Sequence, residues 1–287
     1  MRSVSDFFDY ELIDAVGSNR LERWGDIILI RPDPQIIWDG KKEDKRWENA
    51  NAVYHRSSKG GGYWEKLKKV PEVWSISYND LTFRLKPMGF KHTGLFPEQA
   101  VNWKLAGDLI KSAGREISVL NLFAYTGGAT VACLKAGARV THVDASKGMV
   151  LWAKENAVSS GVDKCPVRWL VDDCIKFVKR EIRRGNKYDA VIMDPPSYGR
   201  GPNGEVWKLE EQLSELLLDV GRLMSDNPLF FFLNSYTGGL SSTILNYMVK
   251  NYVVKGFGGN VFTDEIGLKV TNRDIVLPCG NTTIWTK

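Results

Sequence analysis

The chain of 287 residues has a net charge of +5 and is 43% hydrophobic, which suffices for one large or two modest domains with a buried core. It contains no run of about 18 apolar residues, so we expect no membrane-spanning helix. The four cysteines form no CxxC pair, and the three histidines are not spaced as metal ligands. We therefore expect a reduced, cytoplasmic protein without disulfides or a bound metal.

Residues 1–90 are predicted to form a small β-rich domain. Short β-favouring runs at 26–31, 35–38, 74–78 and 81–86 are separated by turns rich in proline, glycine and charged residues.

Residues 41–70 of this region are strongly basic. They contain nine Lys and Arg against four Asp and Glu, an excess equal to that of the whole chain. Five aromatic residues lie in or beside this window: Trp47, Tyr54, Tyr63, Trp64 and Trp74. A basic surface with aromatic rings is typical of nucleic-acid binding through phosphate contacts and base stacking. If the rings instead point into a small core, the charges indicate only a solvated loop. The sequence leaves both interpretations open.

Residues 91–287 are predicted to form an α/β domain. A helix is expected from Pro97 onwards, and apolar strands then alternate with helices, which indicates a parallel sheet covered on both faces. The strands are predicted at 117–123, 139–144, 167–171, 188–194 and 229–235, and the helices near 127–136, 146–159, 173–184, 205–225 and 239–250. Two final strands, 251–262 and 275–285, have no helix between them and should pair antiparallel. The predicted fold is a Rossmann-like, seven-stranded sheet, mostly parallel with one antiparallel strand.

The stretch 117–144 has the layout of a nucleotide-binding βαβ unit. A strand leads into a glycine-bearing turn, YTGG at 125–128, and after a helix the second strand ends at Asp144. The glycines allow a close approach of the backbone, the helix N-terminus offers N–H groups, and the acid can bind ribose hydroxyls. The turn lacks GxGxxG spacing, so it suits an amino-acid tail better than a pyrophosphate.

Polar residues also stand at the ends of the other predicted strands. They are the pair Asp172-Asp173, the run Asp194-Pro195-Pro196-Ser197-Tyr198 and the run Asn234-Ser235-Tyr236. Ligands of open α/β sheets bind beyond these ends. Two consecutive prolines restrict the backbone after Asp194, so its carboxylate is expected at a fixed place in the crevice. Helix N-capping is the alternative explanation for Ser146 and for one of the paired aspartates.

Four motifs follow one another in the second region: LNLFAYTGG at 120–128, VDAS at 143–146, the paired aspartates, and DPPSY at 194–198. Their combination resembles the class I S-adenosylmethionine-dependent methyltransferases. It is most similar to the 23S ribosomal RNA base methyltransferases that form 5-methylcytosine or 7-methylguanine. The resemblance covers roughly residues 90–287, whereas the N-terminal region has no obvious match to the RNA-binding modules of that group.

The resemblance implies S-adenosylmethionine as the cofactor and RNA, in particular ribosomal RNA, as the substrate. The turn after the first strand would hold the methionine part, the acid of the second strand the ribose, and one of the paired aspartates the adenine amino group. The implied cofactor-binding residues are Phe96, Gln99, Phe123, Tyr125, Thr126, Gly127, Gly128, Asp144, Ala145 and Asp173. The implied catalytic residues are Asp194 and Pro195, which would face the substrate base, and Tyr198, which could stack on it. For Phe96 and Gln99, core packing and helix initiation are equally good explanations.

One sequence difference from that group limits which atom of the base we expect to be methylated. Methylation of cytosine at carbon 5 needs a thiolate that adds at carbon 6. In the related enzymes this thiol lies at the end of the fifth strand, where this chain has Ser235. We therefore expect a nitrogen target, either guanine N7 or an exocyclic amine, for which positioning is the main requirement. The alternatives are a cofactor-binding RNA-interaction protein without activity and a methyltransferase for a small molecule or a protein.

Overall fold

The computed structural model describes residues 1–57, 61–200, 206–236 and 239–287. The chain divides into two compact units, Met1–Val101 with Gly267–Cys279 and Asn102–Ile266 with Gly280–Lys287. This division differs from the predicted boundary at residue 90, because the first unit extends to Val101 and includes a segment from near the C-terminus.

The first unit is β-rich, as expected. Its strands are β1 (Arg2–Val4), β2 (Tyr10–Val16), β3 (Asn19–Trp24), β4 (Ile27–Pro32), β5 (Ala52–Arg56), β6 (Gly62–Lys66), β7 (Trp74–Tyr78) and β8 (Leu81–Leu85). Strands β2 to β6 form one sheet in chain order, antiparallel except for the parallel pair β4–β5, while β7 and β8 form a separate antiparallel pair. The β2–β3 hairpin turns at Gly17 and Ser18, which both have positive φ (57° and 59°), as a type I′ turn requires.

The segment Gly267–Cys279 adds to the first unit beside β2. Val270 forms a parallel bridge with Leu12, and the Thr271 N–H donates to the Leu12 carbonyl oxygen at 2.9 Å. The Arg273 Nε donates to Oδ1 of the buried Asp14 at 2.5 Å. Backbone pairing and an ion pair therefore hold this distant segment in place.

Residues 35–38, predicted as a strand, form a turn instead. The Gln35 N–H donates to Asp33 Oδ1 at 3.0 Å, and the Ile36 N–H donates to the Asp33 carbonyl oxygen at 3.2 Å. Ile36 is buried whereas Ile37 is 87% exposed. The Asp33 side chain thus competes with strand pairing for the backbone of this segment.

The second unit contains the large α/β sheet. Its strands are β9 (Ser118–Leu122), β10 (Arg139–Asp144), β11 (Val167–Val171), β12 (Ala190–Met193), β13 (Tyr198–Arg200), β14 (Val206–Lys208) and β15 (Phe230–Ser235), with β16 (Asn260–Lys269) and β17 (Val276–Thr286) shared between the units. The helices are α1 (Ala100–Ser112, after a 3₁₀ turn at Pro97–Gln99), α2 (Gly128–Lys135), α3 (Lys147–Ser159), α4 (Cys174–Arg184), α5 (Leu209–Gly221) and α6 (Ser242–Met248). Within the described ranges, no helix is long and apolar enough to cross a membrane.

The strand order of the large sheet is β16-β17-β15-β12-β9-β10-β11. The pairs from β15 to β11 are parallel and β17 is antiparallel to β15, which confirms the predicted fold class. An eighth strand, β1, lies beside β16. The interior is apolar, with three successive phenylalanines of β15, Phe230, Phe231 and Phe232, fully buried.

The predicted strand 251–262 is wrong over most of its length. A π-helical turn, Val249–Val253, follows α6, and β16 begins only at Asn260. Val249 and Val253 are both buried, and their spacing of four residues places them on one helical face. The β-branched residues of this run favour a strand, but the spacing of its buried positions is helical.

Candidate active site

The ends of the central strands meet at one edge of the large sheet. Leu122 of β9 lies opposite Met193 of β12 and Val143 of β10, so the residues that follow these strands are neighbours. The chain runs from β9 to β10 and β11 on one side and later returns to β12 on the other. This switch point is where open α/β sheets bind their ligands.

The turn after β9 has an uncommon backbone conformation. Phe123, Tyr125 and Gly127 have φ values of 54°, 50° and 81°, which is strained for the two non-glycine residues. The Ala124 N–H donates to the Val143 carbonyl oxygen at 3.1 Å, and the Gly127 N–H donates to the Ala124 carbonyl oxygen at 2.9 Å. Hydrogen bonds to β10 and within the turn therefore fix its shape.

The two glycines of this turn are required by packing within the protein. A Cβ atom on Gly127 would lie 2.8 Å from the Ala153 Cβ, and one on Gly128 would lie 2.7 Å from the Trp103 ring. Both distances are well below van der Waals contact. These glycines let α2 pack closely against α1 and α3. The approach of a ligand, the reason that the sequence favoured, remains a prediction.

Buried polar side chains support the same turn. Asn121 Nδ2 donates to Thr130 Oγ1 at 2.9 Å, and that oxygen lies 2.9 Å from His142 Nδ1. Burial lowers the pKa of His142 to about 3, so the imidazole is neutral, and its Nε2 has no hydrogen-bond partner in the described part of the chain. Asn156 Nδ2 donates to the Thr126 carbonyl oxygen at 2.8 Å. The four side chains of Asn121, Thr130, His142 and Asn156 were not predicted as part of the site, although polar residues inside apolar strands were a usable signal.

Asp144 connects the turn to the next helix. Its Oδ2 accepts from the Tyr125 N–H and its Oδ1 from the Ser146 N–H, both at 2.8 Å. Burial raises the pKa of this half-buried carboxyl, while the two backbone hydrogen bonds oppose the increase. The Ser146 hydroxyl caps α3, which confirms N-capping as the explanation for this residue. Ala145, between the two, is exposed.

The paired aspartates have separate partners. Asp173 is the N-cap of α4, because its Oδ1 accepts from the Lys176 N–H at 2.8 Å. Asp172 forms an ion pair with Arg180. Asp173 is exposed at the strand edge, so capping and a ligand contact through its other oxygen are compatible.

The DPPSY run follows β12 directly. Asp194 is half-buried, and its N–H donates to the Leu122 carbonyl oxygen at 3.4 Å, so it stands beside the β9 turn. Pro195 is buried and Pro196 is exposed. Tyr198 is 51% exposed and begins β13. The run therefore presents an acid and an exposed aromatic ring within five residues.

Trp207 is a member of this site that no sequence motif indicated. Its Nε1 donates to the Pro196 carbonyl oxygen at 2.5 Å, and its ring centroid lies 5.9 Å from that of Phe123. Trp207 is in β14, which pairs with β13. The indole thus links the DPPSY run to the turn after β9.

Ser235 stands at the strand end where a thiolate for carbon methylation would be needed. It ends β15 and is buried. The thiol beside the β9 turn belongs to Cys174, which is also buried and accepts from the Phe123 N–H at 3.2 Å. Burial raises the pKa of the Cys174 thiol well above its ordinary value, which disfavours the reactive thiolate.

Two predicted residues belong to the first unit. Phe96 precedes the 3₁₀ turn, with its ring centroid 5.3 Å from that of His92, and Gln99 is buried at the end of that turn. Their contact with a cofactor remains a prediction. The described residues contain no group of three or more His, Cys, Asp or Glu that could hold a metal ion.

The fold is that of a Rossmann-like α/β protein, a class whose nucleotide-type ligands bind at the strand edge described above. Residues 52–227 match the sequence model of the S-adenosylmethionine-dependent methyltransferases, and the chain belongs to that family.

Two curated relatives are similar to parts of the chain. The ribosomal RNA large subunit methyltransferase K/L of Shewanella frigidimarina is 33% identical over 180 residues, which cover 62% of this chain and 24% of that protein. The protein of the same name from Shewanella baltica strain OS195 is 28% identical over 246 residues, or 81% of this chain and 32% of the relative. The chain therefore spans only about a quarter to a third of the length of these relatives.

Two solved structures share the fold. A SAM-dependent methyltransferase from Agrobacterium tumefaciens is 35% identical, with a TM-score of 0.93 over 99% of this chain and 92% of that one. A SAM-dependent methyltransferase from Streptococcus mutans is 17% identical, with a TM-score of 0.74 over 98% of this chain and 76% of that one.

Proposed function

We propose that this protein transfers the methyl group of S-adenosylmethionine to a nitrogen atom of a base in ribosomal RNA. The observation that carries the proposal is the position of Asp194, a carboxylate on a proline-stiffened run directly beside the β9 turn. The names of the curated relatives support the substrate class. A ribosomal RNA substrate in turn favours the cytoplasm as the place of action.

The residues at the strand edge fit the cofactor. Each carboxylate oxygen of Asp144 accepts one backbone N–H and has a further lone pair for a ribose hydroxyl. The Tyr125–Gly128 turn would hold the methionine part, and Phe123, Ala145 and Asp173 would surround the nucleoside. The bound cofactor supplies a methyl carbon on a positively charged sulfur, and the chain supplies position and electrostatics.

For the substrate base, Asp194 is the hydrogen-bond acceptor and Tyr198 the stacking surface. A carboxylate can accept from a guanine N1–H and amino group, or from the hydrogens of an exocyclic amine, and so hold the attacking nitrogen in line. Pro195, buried directly after Asp194, restricts the backbone that carries this acceptor. The half-exposed ring of Tyr198 is available to a flipped base.

A nitrogen target agrees with the side chains of the site. Attack at carbon 5 of a pyrimidine requires a thiolate, whereas Ser235 is a buried hydroxyl and Cys174 is a buried thiol whose pKa is raised. A ring nitrogen already carries a lone pair, so it needs no covalent activation.

The test is transfer of labelled methyl from S-adenosylmethionine to ribosomal RNA, transfer RNA or isolated ribosomal subunits, followed by digestion to nucleosides. We expect label in a nitrogen-methylated nucleoside of ribosomal RNA. Asp194→Asn should abolish transfer and retain cofactor binding, whereas Asp226→Asn, an exposed aspartate of the same unit, should behave as the parent. Label in 5-methylcytosine would overturn the nitrogen assignment. Cofactor binding without transfer to any RNA would favour a binding protein or a different substrate.

A further inference from the structure

The structure separates the aromatic residues of the basic region into two groups. Trp47 and Tyr54 are buried, and Trp64 and Trp74 are half-buried. Their polar atoms form hydrogen bonds within the first unit. For example, Trp47 Nε1 donates to Asp14 Oδ2 at 2.9 Å. Tyr63 differs from them, because 63% of its surface is exposed.

The exposed ring belongs to a hairpin with two distinct faces. Strands β5 and β6 pair antiparallel with Tyr54 opposite Trp64 and His55 opposite Tyr63. The Tyr54 and Trp64 rings contact each other edge to face, and Trp64 Nε1 donates to the Met88 carbonyl oxygen at 2.9 Å. Because side chains alternate along a strand, the His55–Tyr63 pair projects from the opposite, outer face.

On that outer face, Tyr63 is supported by its neighbours. Its ring stacks on His55 with centroids 5.1 Å apart and an interplanar angle of 28°. His55 Nε2 in turn lies 2.7 Å from Glu65 Oε2. One face of the tyrosine ring is thus held by the imidazole, which leaves the ring oriented and largely in contact with solvent.

The charge around the hairpin is positive. Arg56 and Lys66 belong to the same two strands but, by the same alternation, lie on the face of Tyr54 and Trp64, and Lys68 and Lys69 follow β6. All four are exposed. Glu65, the only acid in the sequence between residues 52 and 66, is engaged with His55. A sheet edge that carries an exposed aromatic ring on one face and exposed cations on the other has the two components of a single-stranded nucleic-acid contact, stacking and phosphate attraction.

We propose that the β6 edge of the β5–β6 hairpin docks single-stranded RNA, with an unpaired base stacked on Tyr63 on the outer face and phosphates running along the edge near Arg56 and Lys66. This inference rests on the proposed function for the choice of RNA as the partner. Stacking reads no particular base, because every base offers a π face. The hairpin therefore contributes affinity, and the selection of the target nucleotide lies with the DPPSY run.

The experiment measures binding of the full chain to a fluorescein-labelled single-stranded oligo(A) of about 16 nucleotides without cofactor. Tyr63→Ala should weaken binding about tenfold, while Tyr63→Phe, which keeps the ring, should stay within about twofold. Phe8→Ala is the matched control: this residue is also aromatic, is 84% exposed and precedes β2, at the other edge of the same sheet. It should bind as the parent does.

Two further measurements separate this proposal from a structural role and from the proposed function. Replacing Arg56 and Lys66 by glutamine should lower the slope of log K against log salt by about 0.7 for each phosphate that the variant no longer neutralises. Tyr63→Ala should raise KM for ribosomal RNA with kcat and thermal unfolding unchanged. Equal binding by Tyr63→Ala and the parent overturns the docking surface even if ribosomal RNA is methylated. Tyr63-dependent binding without methyl transfer supports the surface and refutes the proposed function.

Discussion

Trp207 donates its indole N–H to the carbonyl oxygen of Pro196 at 2.5 Å, the second proline of the run that carries Asp194. The same indole packs near Phe123 in the turn after β9. One side chain therefore touches both the segment proposed to hold the base and the segment proposed to hold the cofactor. In the proposed reaction, the distance between these segments would determine whether the methyl carbon and the attacking nitrogen are in line.

Replacement of Trp207 by phenylalanine tests this arrangement. The variant keeps a ring near Phe123 but removes the donor to Pro196, so we expect kcat to fall about ten- to a hundredfold through misplacement of the DPPSY run. The Kd for S-adenosylhomocysteine should change by less than about twofold, since the Asp144 contacts are intact. Steady-state kinetics and calorimetry give the two values. Tyr247→Ala, an exposed ring on α6, is the control, and an unchanged kcat in Trp207→Phe would show that the indole is only a packing residue.

The raised pKa of Asp144 gives cofactor binding a pH dependence. Burial shifts the pKa of this carboxyl upward, so on acidification it takes up a proton at a higher pH than an ordinary aspartate. A protonated oxygen is a poorer acceptor for ribose hydroxyls, and affinity for S-adenosylhomocysteine should therefore fall as pH falls through the raised pKa. Calorimetric titrations across the acidic range should show this loss in the parent. Asp144→Asn should bind more weakly at neutral pH and lack that inflection; an identical inflection in both would assign it to another group.

His142 makes stability sensitive to acid. Its pKa is about 3 in the folded chain, against about 6.5 in an unfolded one, so between these values the unfolded state binds more protons. Stability must then decrease as pH falls below about 6.5, by up to roughly 1.4 kcal/mol per pH unit from this residue. Urea unfolding of His142→Asn should show a slope shallower by that amount. Above neutral pH the two curves should run parallel, and parallel curves at every pH would mean that His142 is not buried as a neutral imidazole.

A comparison of Gly127→Ala with Gly137→Ala separates the cost of a positive φ from the cost of a steric clash with Ala153. The alanine would have to adopt a φ of 81° and place its Cβ only 2.8 Å from the Ala153 Cβ. Gly137 has φ of 96° with no atom near the added Cβ, so Gly137→Ala introduces the strain alone, about 1–2 kcal/mol. We expect Gly127→Ala to lose more stability in urea unfolding than Gly137→Ala.

The double variant Gly127→Ala with Ala153→Gly provides the corresponding rescue. Removing the Ala153 Cβ relieves the collision but leaves the strained φ, so the decrease in stability should shrink towards that of Gly137→Ala. If the double variant is no more stable than Gly127→Ala, the packing explanation for this glycine fails.

Much of the second unit could be predicted because its strands are apolar runs, and acids end β10 and directly follow β11 and β12. The strands β9, β10 and β12 lie where they were expected, and their ends bring Asp144 and Asp194 to one edge. Trp207 could not be foreseen, because it reaches the site through pairing of β14 with β13 and not through any motif. The sequence also did not determine which of the paired aspartates caps α4, because either residue could have adopted the N-cap conformation.

The first unit was harder to predict because charged residues lie inside it. Glu22 of β3 is fully buried and accepts from Tyr10 Oη at 2.8 Å and from Arg31 Nε at 2.5 Å. Strands β2 and β3 therefore lack the alternation of apolar and polar residues by which a half-buried strand is recognised. Hydrogen bonds and ion pairs offset the cost of burying these charged groups. Their partners lie far apart in sequence.

The route of the chain near its C-terminus affects any attempt to divide the protein. After Ile266 the backbone leaves the second unit, contributes Gly267–Cys279 to the first, and returns for the strand residues that pair with β15. A single cut in the gene consequently cannot produce either unit whole. A fragment beginning at residue 102 would retain Leu268, Val270 and Leu277, which are buried in the intact chain, without the strand β2 that accompanies Val270. Either unit alone therefore has to be expressed from two separate stretches of the sequence joined by a linker.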